Sequence, residues 1–158
     1  MKTLIYTASV GLLLAGSMTA AQAAGVLKDA KAPHLTTTAA IPNNSLAPSA
    51  TYQFDLHASS HPISQLTIDI PEGVRVEKGI TVTDQNGRTL DVNTTFSGRK
   101  ATVIFTQPVV KDENLTIRLN SVITSMEYRQ DWLFPISWKS PELNTDIPLG
   151  IARISTYD

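Results

Sequence analysis

From residue 52 onward, apolar side chains recur at every second position, the period of strands that bury one face. Tyr52, Phe54 and Leu56 alternate with Gln53, Asp55 and His57, and Leu66, Ile68 and Ile70 alternate with Thr67 and Asp69. Val74, Val76, Ile80 and Val82 continue the pattern as far as Asp84-Gln85-Asn86-Gly87, a turn whose Asn-Gly pair tolerates positive φ. Leu90 and Val92 lead out of that turn toward Phe96, and Ser97-Gly98-Arg99-Lys100 turns the chain again. Ala101, Val103 and Phe105 then oppose Thr102, Ile104 and Thr106, and Leu115, Ile117 and Leu119 oppose Thr116, Arg118 and Asn120. With the polar connection Lys111-Asp112-Glu113-Asn114 between them, these two strands read locally as a hairpin. Trp132, Phe134, Ile136 and Trp138 give the clearest alternation, and residues 149–157 make the last strand. Pro135 predicts an edge strand or a bulge there, because proline has no N–H for the ladder. No segment keeps helical apolar spacing over three turns. Seven to nine short strands with turns between them predict an antiparallel immunoglobulin-like β-sandwich.

The residues before position 50 follow other rules. Lys2 followed by an apolar run over residues 4–15 and the small residues Ala21-Gln22-Ala23 has the form of a secretory signal peptide over residues 1–23. That run is shorter than the roughly 20 residues a bilayer-spanning helix needs, so the mature chain is expected to have no membrane span. Residues 24–49 are rich in Ala, Thr, Pro, Ser and Asn with no apolar period, and are expected to form a flexible arm, with a short edge strand around residues 35–41 as the alternative. His34 lies in this segment, where a lone histidine is ordinarily just exposed.

Composition narrows the function classes. The 158 residues suit one globular domain, with 42% hydrophobic and 17% charged residues. Formal net charge is −1, and loss of Lys2 with the signal peptide leaves 12 basic against 14 acidic groups. A near-neutral balance lacks the basic footprint of a nucleic-acid binder. The absence of cysteine excludes disulfides, thiolate metal ligands and thiol nucleophiles, so an exported domain must be held by its hydrophobic core.

Candidate chemistry is sparse. His57 and His61 are a possible pair of metal ligands, given the affinity of neutral imidazole for copper, zinc and nickel, with Asp55 or Asp69 nearby. Asp84, Asn86 and Gly87 only superficially resemble a calcium loop, because the remaining ligand spacing and the distal glutamate are missing. There is no Gly-x-Ser-x-Gly elbow and no serine, histidine and acid in a suggestive order, so an enzyme is not expected and no cofactor is implied. The strand of Trp132, Phe134, Ile136 and Trp138 is read first as core. Its functional alternative is an exposed platform in which Tyr128, Arg129 and Trp132 bind a partner. Arg153, near the C-terminal end, is expected to place its head group at carboxylates or carbonyls.

Several short segments carry a resemblance. They are Thr51-Tyr52-Gln53-Phe54, Leu66-Thr67-Ile68, Asn86-Gly87-Arg88-Thr89-Leu90, Val103-x-Phe105-x-x-Pro108-Val109, Leu115-Thr116-Ile117-x-Leu119 and a closing Leu149-Gly150-x-x-Arg153-x-x-x-Tyr157. Together they make residues 50–158 resemble the cyanobacterial exported proteins of domain of unknown function 2808. The chain departs from that pattern at residues 57–62 and 125–131. The resemblance implies a secreted or periplasmic all-β domain and brings no catalytic or binding residue with it. The expected role is a non-catalytic periplasmic or cell-surface interaction module for an envelope protein or polysaccharide, in an oligomeric state the residues do not specify. The alternative is a small-ligand or metal-binding periplasmic protein using the loop of His57 and His61.

Overall fold

The computed structural model describes residues 31–125 and 131–157. The described chain is all β, in ten strands: β1 (His34–Ile41), β2 (Ala50–His57), β3 (Ile63–Asp69), β4 (Val74–Val76), β5 (Ile80–Asp84), β6 (Val92–Ser97), β7 (Lys100–Val109), β8 (Asn114–Thr124), β9 (Asp131–Ser140) and β10 (Leu143–Ser155). One sheet has the order β1-β2-β8-β4, with β5 also pairing β8, and the other has the order β10-β9-β3-β7-β6. Every pairing is antiparallel, and the two sheets pack face to face as an immunoglobulin-like β-sandwich.

The alternation read from the sequence determines which side chains meet in the middle. Tyr52, Phe54 and Leu56 of β2 and Leu115, Ile117 and Leu119 of β8 are buried from one sheet. Leu66, Ile68, Val103, Phe105, Trp132, Phe134, Ile136 and Trp138 are buried from the other. Phe134 touches both Tyr52 and Phe54, with ring centroids 5.9 and 5.2 Å away, so it joins the layers at the centre. Burial pushes the Tyr52 phenol up to about 12.

Three expectations are corrected. Residues 34–41, expected as part of a flexible arm over 24–49, form β1, the alternative strand, which pairs with β2 from His34↔His57 to Ile41↔Thr51. Small and hydroxyl residues carry no apolar period, but pairing to an alternating neighbour suffices to make them a strand. Strands β7 and β8 are not a hairpin, since β7 pairs with β3 and β6 while β8 pairs with β2, β4 and β5. Their polar connection therefore crosses from one sheet to the other. Finally, β9 is not an edge strand but internal, between β10 and β3, while the bulge expected as the alternative lies close by, where the ladder with β10 shifts register between Pro148 and Gly150, opposite Ser137 and Ile136. Its proline is accommodated because the ladder with β3 ends at Ile136, one residue short of Pro135.

One side of the sandwich is closed by β1 and β10. The Thr38 hydroxyl donates to the Arg153 carbonyl at 2.6 Å, and the Ser45 N–H donates to the Tyr157 carbonyl at 2.8 Å. Residue numbers rise together along this seam, so the two strands run in the same direction.

The turn after β5 is built on Asp84, whose carboxylate accepts the N–H groups of Asn86 and Arg88 and the guanidinium of Arg88. Gly87 closes it with φ +77°, a conformation open to glycine without strain. Burial pushes the Asp84 carboxyl up, but the donors of Arg88 and Asn86 and the Arg88 charge outweigh it and hold it below the usual aspartate value. A depressed pKa gives stability that is present above the unfolded aspartate value of about 3.9 and lost as pH falls through the folded value. Asp84→Asn is therefore expected to destabilise the domain at pH 7 and to have a smaller effect at pH 3, as read by urea unfolding at the two values.

Candidate functional site

Sheet edges in a sandwich are hazards unless protected, and most edges here are. Strand β1 has a register shift between Leu35 and Thr37 and lies against β10. Strand β10 has register shifts on either side of Ile147 and Pro148 and carries Pro148 itself. Strand β4 is three residues long, and β5 is flanked by the Thr83↔Thr89 bridge of its own turn. Strand β6 has none of these devices. It ends its sheet, pairs with β7 in unbroken register from Val92↔Phe105 to Ser97↔Lys100, and reads Val-Asn-Thr-Thr-Phe-Ser with no charge and no proline.

The parity of its backbone groups follows from one bond. Thr106 N–H donates to the Asp91 carbonyl at 3.1 Å, so Asp91 and Thr106 are a hydrogen-bonded pair. Counting by twos, Asn93, Thr95 and Ser97 exchange bonds with β7, while Val92, Thr94 and Phe96 turn N–H and C=O away from the sheet. Among the described residues, no backbone hydrogen bond outside the ladder reaches β6. The hairpin that holds β6 turns at Gly98, φ +59°.

Side chains extend the same picture. Val92, Thr94 and Phe96 stand opposite the buried Phe105, Val103 and Ala101 and so face the sandwich interior. Phe96 is nevertheless 45% exposed, because among the described residues no strand lies beyond the edge to cover its ring. On the outer face Ile104 of β7, paired with Asn93, is 43% exposed. Among the described residues, the edge thus offers a row of outward-facing donors and acceptors beside a half-covered aromatic ring.

Of the residues singled out in the sequence, Trp132, His57 and His61 lie elsewhere. Trp132 is 2% exposed and belongs to the core, which corrects the reading of it as a partner-binding platform; its alternation with Phe134, Ile136 and Trp138 is the alternation of a buried face. Tyr128 and Arg129 lie outside the described residues. Trp132 and Leu133 line, with Pro71, Asp131 and Arg153, an open cleft of about 460 Å³. Arg153 grips Asp131 there through two bonds, Nε–Oδ1 at 3.1 Å and Nη2–Oδ2 at 2.8 Å, as expected of it. Those bonds, and then the Ser155 hydroxyl, hold the Asp131 carboxyl below its ordinary value.

His57 and His61 have different ring neighbours. The ring beside His57 is that of its cross-strand neighbour His34, with centroids 5.5 Å apart. His61 stands against Trp138, centroids 5.9 Å apart, with Nδ1 3.3 Å from the Lys31 carbonyl. Among the described residues, no three of His, Asp and Glu gather into a metal cluster. His57 belongs to a polar outer face of the first sheet, where Asp55 accepts from Thr116 at 2.8 Å and from Gln53, and Gln53 accepts from Arg118 at 3.2 Å.

Comparison with known proteins adds a family and a fold. A family model described as Protein of unknown function (DUF2808) matches residues 26–137. The N-terminal domain of the Streptococcus gordonii adhesin Sgo0707 is similar with a TM-score of 0.54 at 14% identity, over 80% of this chain and 32% of that one. The full-length major pilin SpaD from Corynebacterium diphtheriae gives 0.55 at 10% identity, over 78% of this chain and 33% of that one. The chain spans about a third of the length of these structures, and at such identities the likeness is one of fold. No curated protein matches the sequence.

Proposed function

The chain belongs to the family described as protein of unknown function (DUF2808), a membership that brings no activity with it, and we propose that it is an exported, non-catalytic interaction module whose β6 edge takes up an extended segment of a partner protein of the cell envelope. The observation that carries this reading is the unprotected register of β6, with Val92, Thr94 and Phe96 turning their backbone groups outward beside the half-covered Phe96 ring. Strand addition gives affinity through main-chain bonds and specificity through alternate side chains. The complementary segment is six or so residues long and alternates apolar with hydroxyl or amide side chains. Its apolar positions cover Phe96 from the interior side.

Export rests on the signal-peptide form of residues 1–23, ahead of an N-terminal stretch and the sandwich, and the proposed location is the periplasm or cell surface of a cyanobacterial cell. Mass spectrometry of the exported protein is expected to find Ala24 as its first residue. Adhesin and pilin are the descriptions of the two similar structures, and the proposal gives this chain a comparable task, holding rather than converting.

The test is site-specific crosslinking in cells. A photoreactive amino acid at position 95, on the exposed edge, is expected to capture a partner polypeptide that the same group at position 81, on the opposite sheet, does not. Equal capture from both positions would sink the reading. Capture of nothing but this chain's own β6 would replace the partner by a second copy.

A further inference from the structure

We propose that His34 and His57 form a two-imidazole site for a divalent transition-metal ion, copper(II) foremost, that ties β1 to β2. The two residues are register partners at one end of the β1–β2 ladder, so the backbone, not a loop, sets their spacing. Their ring centroids are 5.5 Å apart at an interplanar angle of 62°. With metal–nitrogen bonds of about 2.1 Å, each ring centre would lie about 3.2 Å from a shared ion. Centroids 5.5 Å apart then correspond to a nitrogen–metal–nitrogen angle of roughly 120°, within reach of tetrahedral or distorted planar coordination after a small side-chain rotation.

The tautomers suit the same purpose. His34 Nδ1 lies 3.1 Å from the Ala32 carbonyl, which only accepts, so that nitrogen carries the proton. His57 Nδ1 lies 2.9 Å from Asn114 Oδ1, also an acceptor. In a neutral imidazole the proton on Nδ1 leaves the lone pair on Nε2. Both rings therefore keep Nε2 as the available ligand, with the other nitrogen anchored to a carbonyl oxygen, the arrangement that orients metal-binding histidines. Asp55 lies two residues before His57 on the same face, where its charge favours a cation without itself ligating, engaged as it is by Thr116 and Gln53. With two protein ligands and the rest from water, imidazole donors rank copper(II) above nickel, cobalt and zinc.

The experiment is a calorimetric copper(II) titration of the full chain at pH 7.5, with electron paramagnetic resonance of the one-to-one complex. Wild type and His61→Ala are expected to bind one ion with affinities within about twofold of each other, while His34→Ala and His57→Ala each bind about tenfold or more weakly. The double variant is expected to bind more weakly than either single one, since each single variant keeps one imidazole ligand and the double variant keeps neither. The spectrum should carry splitting from two ring nitrogens in wild type and from one in either single variant. His34→Gln, close in size and polarity, keeps the test meaningful should alanine disturb the strand, and folding is checked by circular dichroism. Wild-type affinity in His34→Gln, a loss confined to His61→Ala, or a single-nitrogen spectrum for wild type overturns the site. None of these readouts depends on the β6 edge.

Discussion

Replacing Thr94 with proline is expected to cost the partner complex about 2–3 kcal/mol, roughly 30–150-fold in affinity, while leaving the free domain close to wild type. The N–H of Thr94 points away from β7, so proline removes no bond of the native ladder, and an outward-facing edge position is one where proline is tolerated in a sheet. In the complex the same change removes a donor, leaves a partner carbonyl unpaired, and sets a ring where the incoming strand must approach. The melting temperature of the free domain should move by no more than about 3 °C. Thr95→Pro is the control, since the N–H of Thr95 is used by β7, and there the loss should fall on folding. Calorimetry against the captured segment, beside thermal unfolding of both variants, separates the two effects. A Thr94→Pro protein that binds as wild type does would rule out strand addition at β6.

Phe134→Ala is expected to produce the largest loss of stability, about 4 kcal/mol and a fall in melting temperature of roughly 12–20 °C. The ring is fully buried and contacts Tyr52 and Phe54 of the opposing sheet, so its removal leaves a cavity between layers that rigid strands cannot close. A domain is stable by only about 5–15 kcal/mol, so this one change takes a large share. The neighbouring Leu133, 51% exposed on the outer face of the same strand, is expected to tolerate alanine within about 0.5 kcal/mol. Urea unfolding of both variants checks the contrast, and a similar loss at both positions would contradict the facing of β9.

These two positions also mark what the amino-acid pattern could and could not disclose. Alternation revealed the buried faces, because a side chain's face follows from its parity along the strand; that is why Phe134 and Trp132 were legible as core. Neighbourhood in the sheet is a different matter, decided by tertiary pairing. Strands β7 and β8 sit next to each other in sequence with a polar link, yet each finds better partners in opposite sheets. Strand β6 left only a weak signal at Val92 and Phe96, and nothing local marks a strand as the last in its sheet. The same holds for His34 and His57, 23 positions apart and adjacent only through the β1–β2 register. His57 and His61, close in sequence, suggested a pair, whereas the rings beside them belong to His34 and Trp138. β1 was obscured by its small and hydroxyl residues, since the apolar period that would mark it is supplied by its neighbour β2.

The common direction of β1 and β10 gives the sandwich a mechanical character. A pull at the start of β1, opposed by a pull at the end of β10, runs along both strands. The β1–β2 and β9–β10 ladders are then loaded in shear, all their bonds sharing the strain at once, rather than being peeled open one pair at a time. A tether drawn taut between two bodies would find this domain at its stiffest.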